Sequence, residues 1–309
     1  MEQKKIRRAV VEQINDKTII RLNSSAMGLL RHCERKADWI LNKGQPDLSS
    51  PAADYGSLIH KALAEYYQLN PNDRFPETLV DIWNKVSETF EFKDPNKTKE
   101  IGQKVLFNYA KTYTGEAWRV VSLPEIGPAV EVPFEFKFGL INDEILKKQA
   151  EVYLFGTVDM IVQNVDTGEY AVMDHKTTKT IGTEFSSRWK PNHQMSAYIY
   201  AMNSYFKLPT NKAIINGLQI AKTVQNTIRI ETTRNQSELT EFKQQVYHSA
   251  SRLWEMSINP DGFRSFADST SCSMYGSCKM LNVCSLPPEL RAGPLSLALS
   301  KKEIENDIT

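Results

Sequence analysis

The chain has 309 residues, 41% of them hydrophobic and 24% charged, with a net charge of +1. That length and apolar share suffice for one large buried core or two ordinary ones, and no apolar run approaches the roughly 18 residues of a membrane span. The balanced charge excludes a globally basic nucleic-acid binder, so a nucleic-acid contact would have to be a local patch.

The opening segment, MEQKKIRRAVVEQ, carries charge without the apolar core of a secretory signal, which points to a reducing, cytoplasmic setting. Four cysteines in that setting are ligands or free thiols rather than disulfide partners. Residues up to Ile20 read as a leading arm, with a short strand at Lys17–Leu22. Asn23-Ser24-Ser25 is an N-cap cluster before a helix over Ala26–Leu41, which carries Cys33 among Arg31, His32, Arg35 and Lys36. By itself a helical cysteine is a small buried hydrophobe. After a Gly44–Pro51 loop, Leu58, Ile59, Ala62, Leu63 and Tyr66 form the stripe of a helix over Tyr55–Gln68. His60 lies beside that stripe, open to packing or ligation, and Gly56 one turn earlier permits close approach of another backbone. Helices at Pro76–Glu91 and Thr98–Tyr113 follow.

From Val120 the period shifts toward two. Ala129–Phe136 alternates as a strand, and Pro133 makes it an edge or a bulge. Glu131 faces either solvent or the same site as Asp159. The stretch LFGTVDMIVQNVDTGEYAVMDHKTTK, Leu154–Lys179, reads as two strands joined at Asp166-Thr167-Gly168, where Asp folds back on its backbone and Gly takes positive φ. Asp174 and Lys176 share one face of the second strand, and a hairpin brings Asp159 close to them. Paired carboxylates hold Mg²⁺ or Mn²⁺, and a lysine beside them orients water or neutralises charge on phosphorus. An ordinary hairpin with surface charges has the same residue types.

Thr177–Asn192 is a polar loop whose Lys179, Arg188 and Trp189 suit a phosphate backbone and a stacked base, or equally a solvated loop. In the helix Pro191–Tyr205 that follows, Gln194 and Tyr198 share a face. Strands at Ala213–Lys222 and Thr227–Thr232 precede a helix over Gln236–Ile258. Cys272, Cys278 and Cys284 then recur at even six-residue steps, a sign of metal or cluster ligation, with Cys33 the one cysteine left for a fourth ligand. Zinc and an iron–sulfur cluster both accept four cysteinates. Pro287–Thr309 is a polar tail.

Taken in order, Gly56-x-x-x-His60, the Asp159 strand, Asp174-x-Lys176 and Gln194-x-x-x-Tyr198 resemble the PD-(D/E)XK nuclease superfamily, in its RecB-like branch with Cas4 and Cas4-like phage exonucleases. One cysteine before this set and three after it resemble the iron–sulfur nucleases of that branch. The resemblance implies metal binding by His60, Asp159, Asp174 and the His175 backbone carbonyl. It implies Lys176 as the catalytic lysine, with Gln194 and Tyr198 contacting DNA near the scissile phosphate. It also implies a [4Fe–4S] cluster on Cys33, Cys272, Cys278 and Cys284, with zinc as the alternative at that site.

The implied fold is α/β and restriction-endonuclease-like. A mixed central sheet is flanked by helices, and N- and C-terminal helical parts are joined by the cluster. The expected organisation is one domain over residues 1–309, with a helical part at 1–119, a catalytic sheet at 120–235, a helix and cysteine segment at 236–285 and a tail at 286–309. Two departures stand out. Asp174 occupies a position where many members have Glu, and the C-x5-C-x5-C spacing differs from the C-x2-C common in Cas4 proteins, which points to phage-like relatives.

The expected activity is metal-dependent hydrolysis of DNA from single-stranded ends, in replication, recombination, repair or CRISPR adaptation. A helicase, recombinase or Cas1-type protein is the implied partner, in the host-cell cytoplasm if the chain is phage-encoded. A reading of another class is a non-cleaving DNA-binding or assembly subunit with a structural four-cysteine metal site.

Overall fold

The structure, a computed structural model, describes residues 9–44, 51–143, 148–267, 272–273 and 277–296. Parts of the expected leading arm, of the Gly44–Pro51 loop and of the C-terminal tail lie outside the described residues.

In chain order, strands β1 (Val10–Ile14) and β2 (Lys17–Leu22) precede helices α1 (Ser24–His32), α2 (Glu34–Ala37), α3 (Pro51–Gln68), α4 (Pro76–Val86) and α5 (Lys99–Tyr113). Strand β3 (Trp118–Val120), the two-residue strands β4 (Ser122–Leu123) and β5 (Gly127–Pro128), and the long strands β6 (Val130–Asp143), β7 (Lys148–Asn164) and β8 (Tyr170–Thr178) follow. Helices α6 (Thr183–Ser187) and α7 (His193–Ala201), strands β9 (Lys212–Gln219) and β10 (Thr227–Thr233), and helices α8 (Gln236–Ile258) and α9 (Leu281–Cys284) complete the set. No helix among the described residues is long and apolar enough to cross a membrane.

The chain forms two compact units, each discontinuous in sequence. The first comprises Met1–Leu48, Glu135–Gly156 and Glu241–Thr309; the second comprises Ser49–Phe134 and Thr157–Thr240.

In the first unit, β1 and β2 form a hairpin with Val10 opposite Arg21 and Ile14 opposite Lys17. Asn15 and Asp16 turn it with φ of 48° and 62°, a conformation these two residue types adopt more readily than other side chains. The expected arm is therefore a paired strand. β2 runs parallel to the first half of β7, with Thr18 opposite Ala150 and Leu22 opposite Leu154. The helix expected over Ala26–Leu41 breaks at Cys33. That residue is extended at φ −161° and caps α2, its Sγ accepting from the Lys36 N–H at 3.5 Å.

A clasp joins this segment to α8 and the stretch just after it. Glu34 receives Arg252 Nε and Nη2, each at 2.6 Å, and the Ser265 N–H at 3.0 Å. The Arg35 N–H donates to the Ser265 carbonyl at 2.9 Å.

In the second unit the sheet order is β3-β7-β8-β9-β10. β7 pairs antiparallel with β3 and with β8, β8 lies parallel to β9, and β10 lies antiparallel to β9. This is the expected mixed sheet. α3, α4 and α5 cover one face, where Ile59, Leu63, Leu79, Trp83, Val105 and Tyr109 form one buried cluster with Met160, Met173 and Ile214. Side chains alternate along β8. Asp174 and Lys176 therefore stand on the face opposite Met173 and His175, while α7 packs against β8 and β9. The β7–β8 turn is closed by Asn164, whose side chain accepts from the Asp166 and Thr167 N–H groups, rather than by Asp166; Gly168 takes φ of 75° as expected.

Candidate metal centre

The site lies in the second unit, where β7 and β8 diverge. Met160 opposite Met173 is the last ladder pair on this side, so the next position along each strand holds Asp159 and Asp174. Asp159 Oδ2 accepts from the His175 backbone N–H at 2.9 Å and lies 3.2 Å from His60 Nδ1 on α3. Glu131, at the start of β6, has φ of 51°, in the left-handed region that non-glycine residues rarely occupy. One donor atom each from His60, Glu131 and Asp159 lies within 4.8 Å of the other two, and no other such three-donor group occurs among the described residues. Lys176 Nζ stands 2.5 Å from Asp174 Oδ2.

The electrostatics follow from burial and charge. Burial works to raise the Asp159 carboxyl, but the His60 hydrogen bond and the charges of His60 and Lys176 hold it below the usual carboxylate range. Asp174, with no exposed surface, is pushed up by burial against the pull of Lys176. Burial works to lower Lys176, and the charges of Asp174 and Asp159 outweigh it, so the ammonium is retained. Glu131 keeps an exposed edge, yet loss of water and the charge of Asp159 push its carboxyl up to about 7. The three carboxylates thus repel one another in a partly dry site, a repulsion that a divalent cation relieves.

The donor set fits such a cation. Asp174 Oδ1 is buried without a hydrogen-bond partner among the described residues, an expensive state for a carboxylate oxygen. With His60 Nδ1 turned to Asp159, its other ring nitrogen is left for a ligand, the arrangement common in metal-ligating histidines. Carboxylate oxygens with one imidazole suit Mg²⁺ or Mn²⁺. A cavity of about 640 Å³ opens onto this set, lined by Gly56, Ser57, His60, Lys61, Glu131 and Lys176. A Cβ on Gly56 would meet the Thr177 hydroxyl at 3.2 Å, so a side chain, not a backbone, approaches there.

The other expected site residues divide. Gln194 and Tyr198 share a face of α7, with Gln194 Nε2 donating to the Tyr198 hydroxyl at 2.8 Å. Asn192 caps this helix by accepting from the Gln194 and Met195 N–H groups. Tyr198 is buried and its hydroxyl is pushed up by that burial and by Asp174. Lys179 and Arg188 are exposed. Trp189 is 4% exposed and packs edge-on against Phe185, so its ring is closed to a stacked base; Arg188 lies over both rings.

His175 enters through its backbone N–H and a buried ring. The four thiols are half-buried and do not form a cluster-like set. The structure ties the two cysteine regions by another route: Arg35 Nη1 reaches Cys284 Sγ at 3.1 Å, and the Cys278 N–H donates to the Cys272 carbonyl at 2.8 Å.

The family model of the PD-(D/E)XK nuclease superfamily matches residues 21–285, most of the chain. The chain belongs to the PD-(D/E)XK nuclease superfamily. No curated protein matches this superfamily member. Among solved structures it is similar to a protein of Eubacterium rectale described as an exonuclease, at 15% identity and a TM-score of 0.44, covering 88% of this chain and 93% of that one. It is also similar to SSO0001, at 15% identity and a TM-score of 0.27, covering 64% of this chain and 75% of that one.

For this nuclease-superfamily chain, sequence reasoning left Glu131 undecided between solvent and site. Its left-handed φ belongs to a local break that no composition signal marks. Tyr109 and Asn216 flank the buried His175 ring, a role that no motif in the sequence marks. Only the β8–β9 register, with His175 beside Asn216, shows the connection.

Proposed function

We propose that this superfamily member is a Mg²⁺- or Mn²⁺-dependent DNA exonuclease that hydrolyses phosphodiester bonds from single-stranded ends, in a reducing cytoplasm. The carrying observation is the convergence of His60, Glu131 and Asp159 beside the buried Asp174–Lys176 pair. His60, Glu131, Asp159 and Asp174 would hold the cation. When bound, it supplies positive charge to a phosphoryl oxygen and acidifies a water.

Lys176 keeps its proton, and its ammonium lines the cavity where negative charge develops on the phosphate. Gln194 carries a donor N–H beside Tyr198 for a phosphate or base edge. Lys61, which lines the cavity, and the exposed Lys179 and Arg188 would supply the local positive charge that a chain of net charge +1 needs to track a strand. Preference for ends follows from the Cas4-like resemblance, as does a [4Fe–4S] cluster on Cys33, Cys272, Cys278 and Cys284. The present arrangement of the thiols does not itself form that ligand set, so no step is assigned to the cluster.

Two measurements test this reading. Linear and circular single-stranded DNA are incubated with Mn²⁺ or EDTA: loss of the linear form alone, and only with Mn²⁺, is expected, whereas equal cutting of circles removes the exonuclease assignment. Iron and zinc analysis of anaerobically purified protein decides the cysteine site, with about four irons expected for a cluster.

A further inference from the structure

Behind the metal centre a chain of buried hydrogen bonds runs into the α5 side of the sheet. The Tyr67 and Tyr109 hydroxyls are 2.7 Å apart, and the Tyr109 hydroxyl is 2.9 Å from His175 Nε2. Asn216 Nδ2 donates to the Tyr109 hydroxyl at 3.0 Å and lies 3.4 Å from the same His175 nitrogen. Arg229 Nε donates to Asn216 Oδ1 at 2.8 Å, which fixes which way the amide points. Arg229 is in turn paired with Glu116. Tyr109 and Asn216 have no exposed surface and His175 is 2% exposed, so proton placement here is a matter of full accounting.

Three observations assign the protons. First, the Tyr67 hydroxyl has Tyr109 as its one hydrogen-bond partner among the described residues, so Tyr67 must donate or leave a buried O–H unpaired. Tyr109 then receives from Tyr67 and Asn216, and its own proton goes to His175 Nε2. Second, the Asn216 amino group also faces Nε2, and a proton there would set donor against donor. Third, His175 Nδ1 lies 3.8 Å from Asp159 Oδ2, where a lone pair would oppose the carboxylate and an N–H attracts it.

We propose that Tyr109 is a positioning residue for the metal centre: with Tyr67 and Asn216 it fixes His175 as the Nδ1–H tautomer, whose ring N–H faces Asp159 Oδ2 at 3.8 Å beside the backbone N–H that bonds it, leaving Oδ1 for the cation. This rests on the reading of Asp159 as a cation ligand. The cation is not needed for the first half of the claim, because the tautomer exists in the metal-free protein. Positioning of this kind acts through the ligand's orientation, and its loss typically costs tenfold to a hundredfold in metal affinity.

The test uses full-length protein labelled with ¹⁵N-histidine, in EDTA, with the His175 signal assigned by its loss in His175→Gln. Long-range ¹H–¹⁵N spectra are expected to show His175 protonated at Nδ1 and bare at Nε2. Tyr109→Phe is expected to shift that signal toward the Nε2–H form or a mixture, and to weaken Mn²⁺ binding at least about tenfold by calorimetry. Tyr67→Phe leaves His175 Nε2 as the one acceptor for the Tyr109 proton and is expected to keep the Nδ1–H form. An Nε2–H tautomer in the wild type overturns the inference whether or not Tyr109→Phe folds, as do unchanged tautomer and Mn²⁺ affinity in folded Tyr109→Phe. Wild-type protein that shows the Nδ1–H form but binds no Mn²⁺ removes instead the assignment of Asp159 as a ligand.

Discussion

The Lys176 ammonium stands 2.5 Å from Asp174, a carboxylate with no exposed surface. Each charge is tolerated in the sheet because the other is there: burial alone would favour a neutral lysine and a protonated acid. Lys176→Ala leaves Asp174 buried without its cation. In EDTA this variant is expected to lose about 3 kcal/mol of unfolding free energy at pH 8. A carboxyl raised in the folded state is least costly when both states are protonated, so the loss should shrink at pH 5. Urea unfolding at the two pH values checks this, and an equal loss at both would detach the effect from Asp174.

Glu131 takes a left-handed backbone and carries a carboxyl pushed up to about 7, which are local costs at one residue of the donor set. Asn accepts that backbone region more readily and has no carboxylate. Glu131→Asn should therefore melt no lower than wild type, within about 1 kcal/mol, while losing Mn²⁺ affinity. Calorimetry on the two proteins decides, and unchanged affinity would remove Glu131 from the ligand set.

Gly102 on α5 lies under the fully buried Trp83, and a Cβ there would meet the indole at 2.2 Å. The ring is held in turn by its N–H donating to the Lys99 carbonyl at 2.9 Å. Gly102→Ala is expected to cost about 1–3 kcal/mol through overpacking, seen as a lower urea midpoint at unchanged slope.

The clasp of the first unit gives a pH dependence. Hydrogen bonds from Arg252, then from Ser265, hold Glu34 down to about 2 from 4.5, against its burial. A lowered carboxyl contributes stability that is present above pH 4.5 and is lost as pH falls toward 2. The contribution is at most about 3 kcal/mol. Between pH 5 and pH 2.5, Arg252→Met should lose less stability than wild type; identical acid profiles would mean that the pair contributes nothing.

The elements with strong periodicity were readable: α3, α5, α8 and the β7–β8 pair lie close to where their patterns put them. The break at Cys33 was not, because the N-cap role of its sulfur depends on a backbone turn inside an otherwise helical pattern. The β1–β2 hairpin does carry a signal in the sequence, Asn15-Asp16 between two alternating runs. At the site, Asp159, Asp174 and Lys176 come together because strand alternation and a short turn bring them there. His60 arrives from a helix distant in sequence, and the resemblance, not periodicity, pointed to it. Trp189 looked like an exposed aromatic because its neighbours are polar, but its ring is taken up by Phe185.

The most direct test is cleavage of end-labelled single- and double-stranded DNA by anaerobically purified protein with Mn²⁺, wild type beside Lys176→Ala and Lys176→Gln, each first shown to be folded. The expected result is short products from wild type, none in EDTA, and a loss of at least about a hundredfold in both variants with DNA binding retained. Cleavage by the variants at wild-type rates would contradict the role of Lys176, and folded wild type that binds DNA but cuts no end with any divalent cation would make the chain a binding subunit instead of a nuclease.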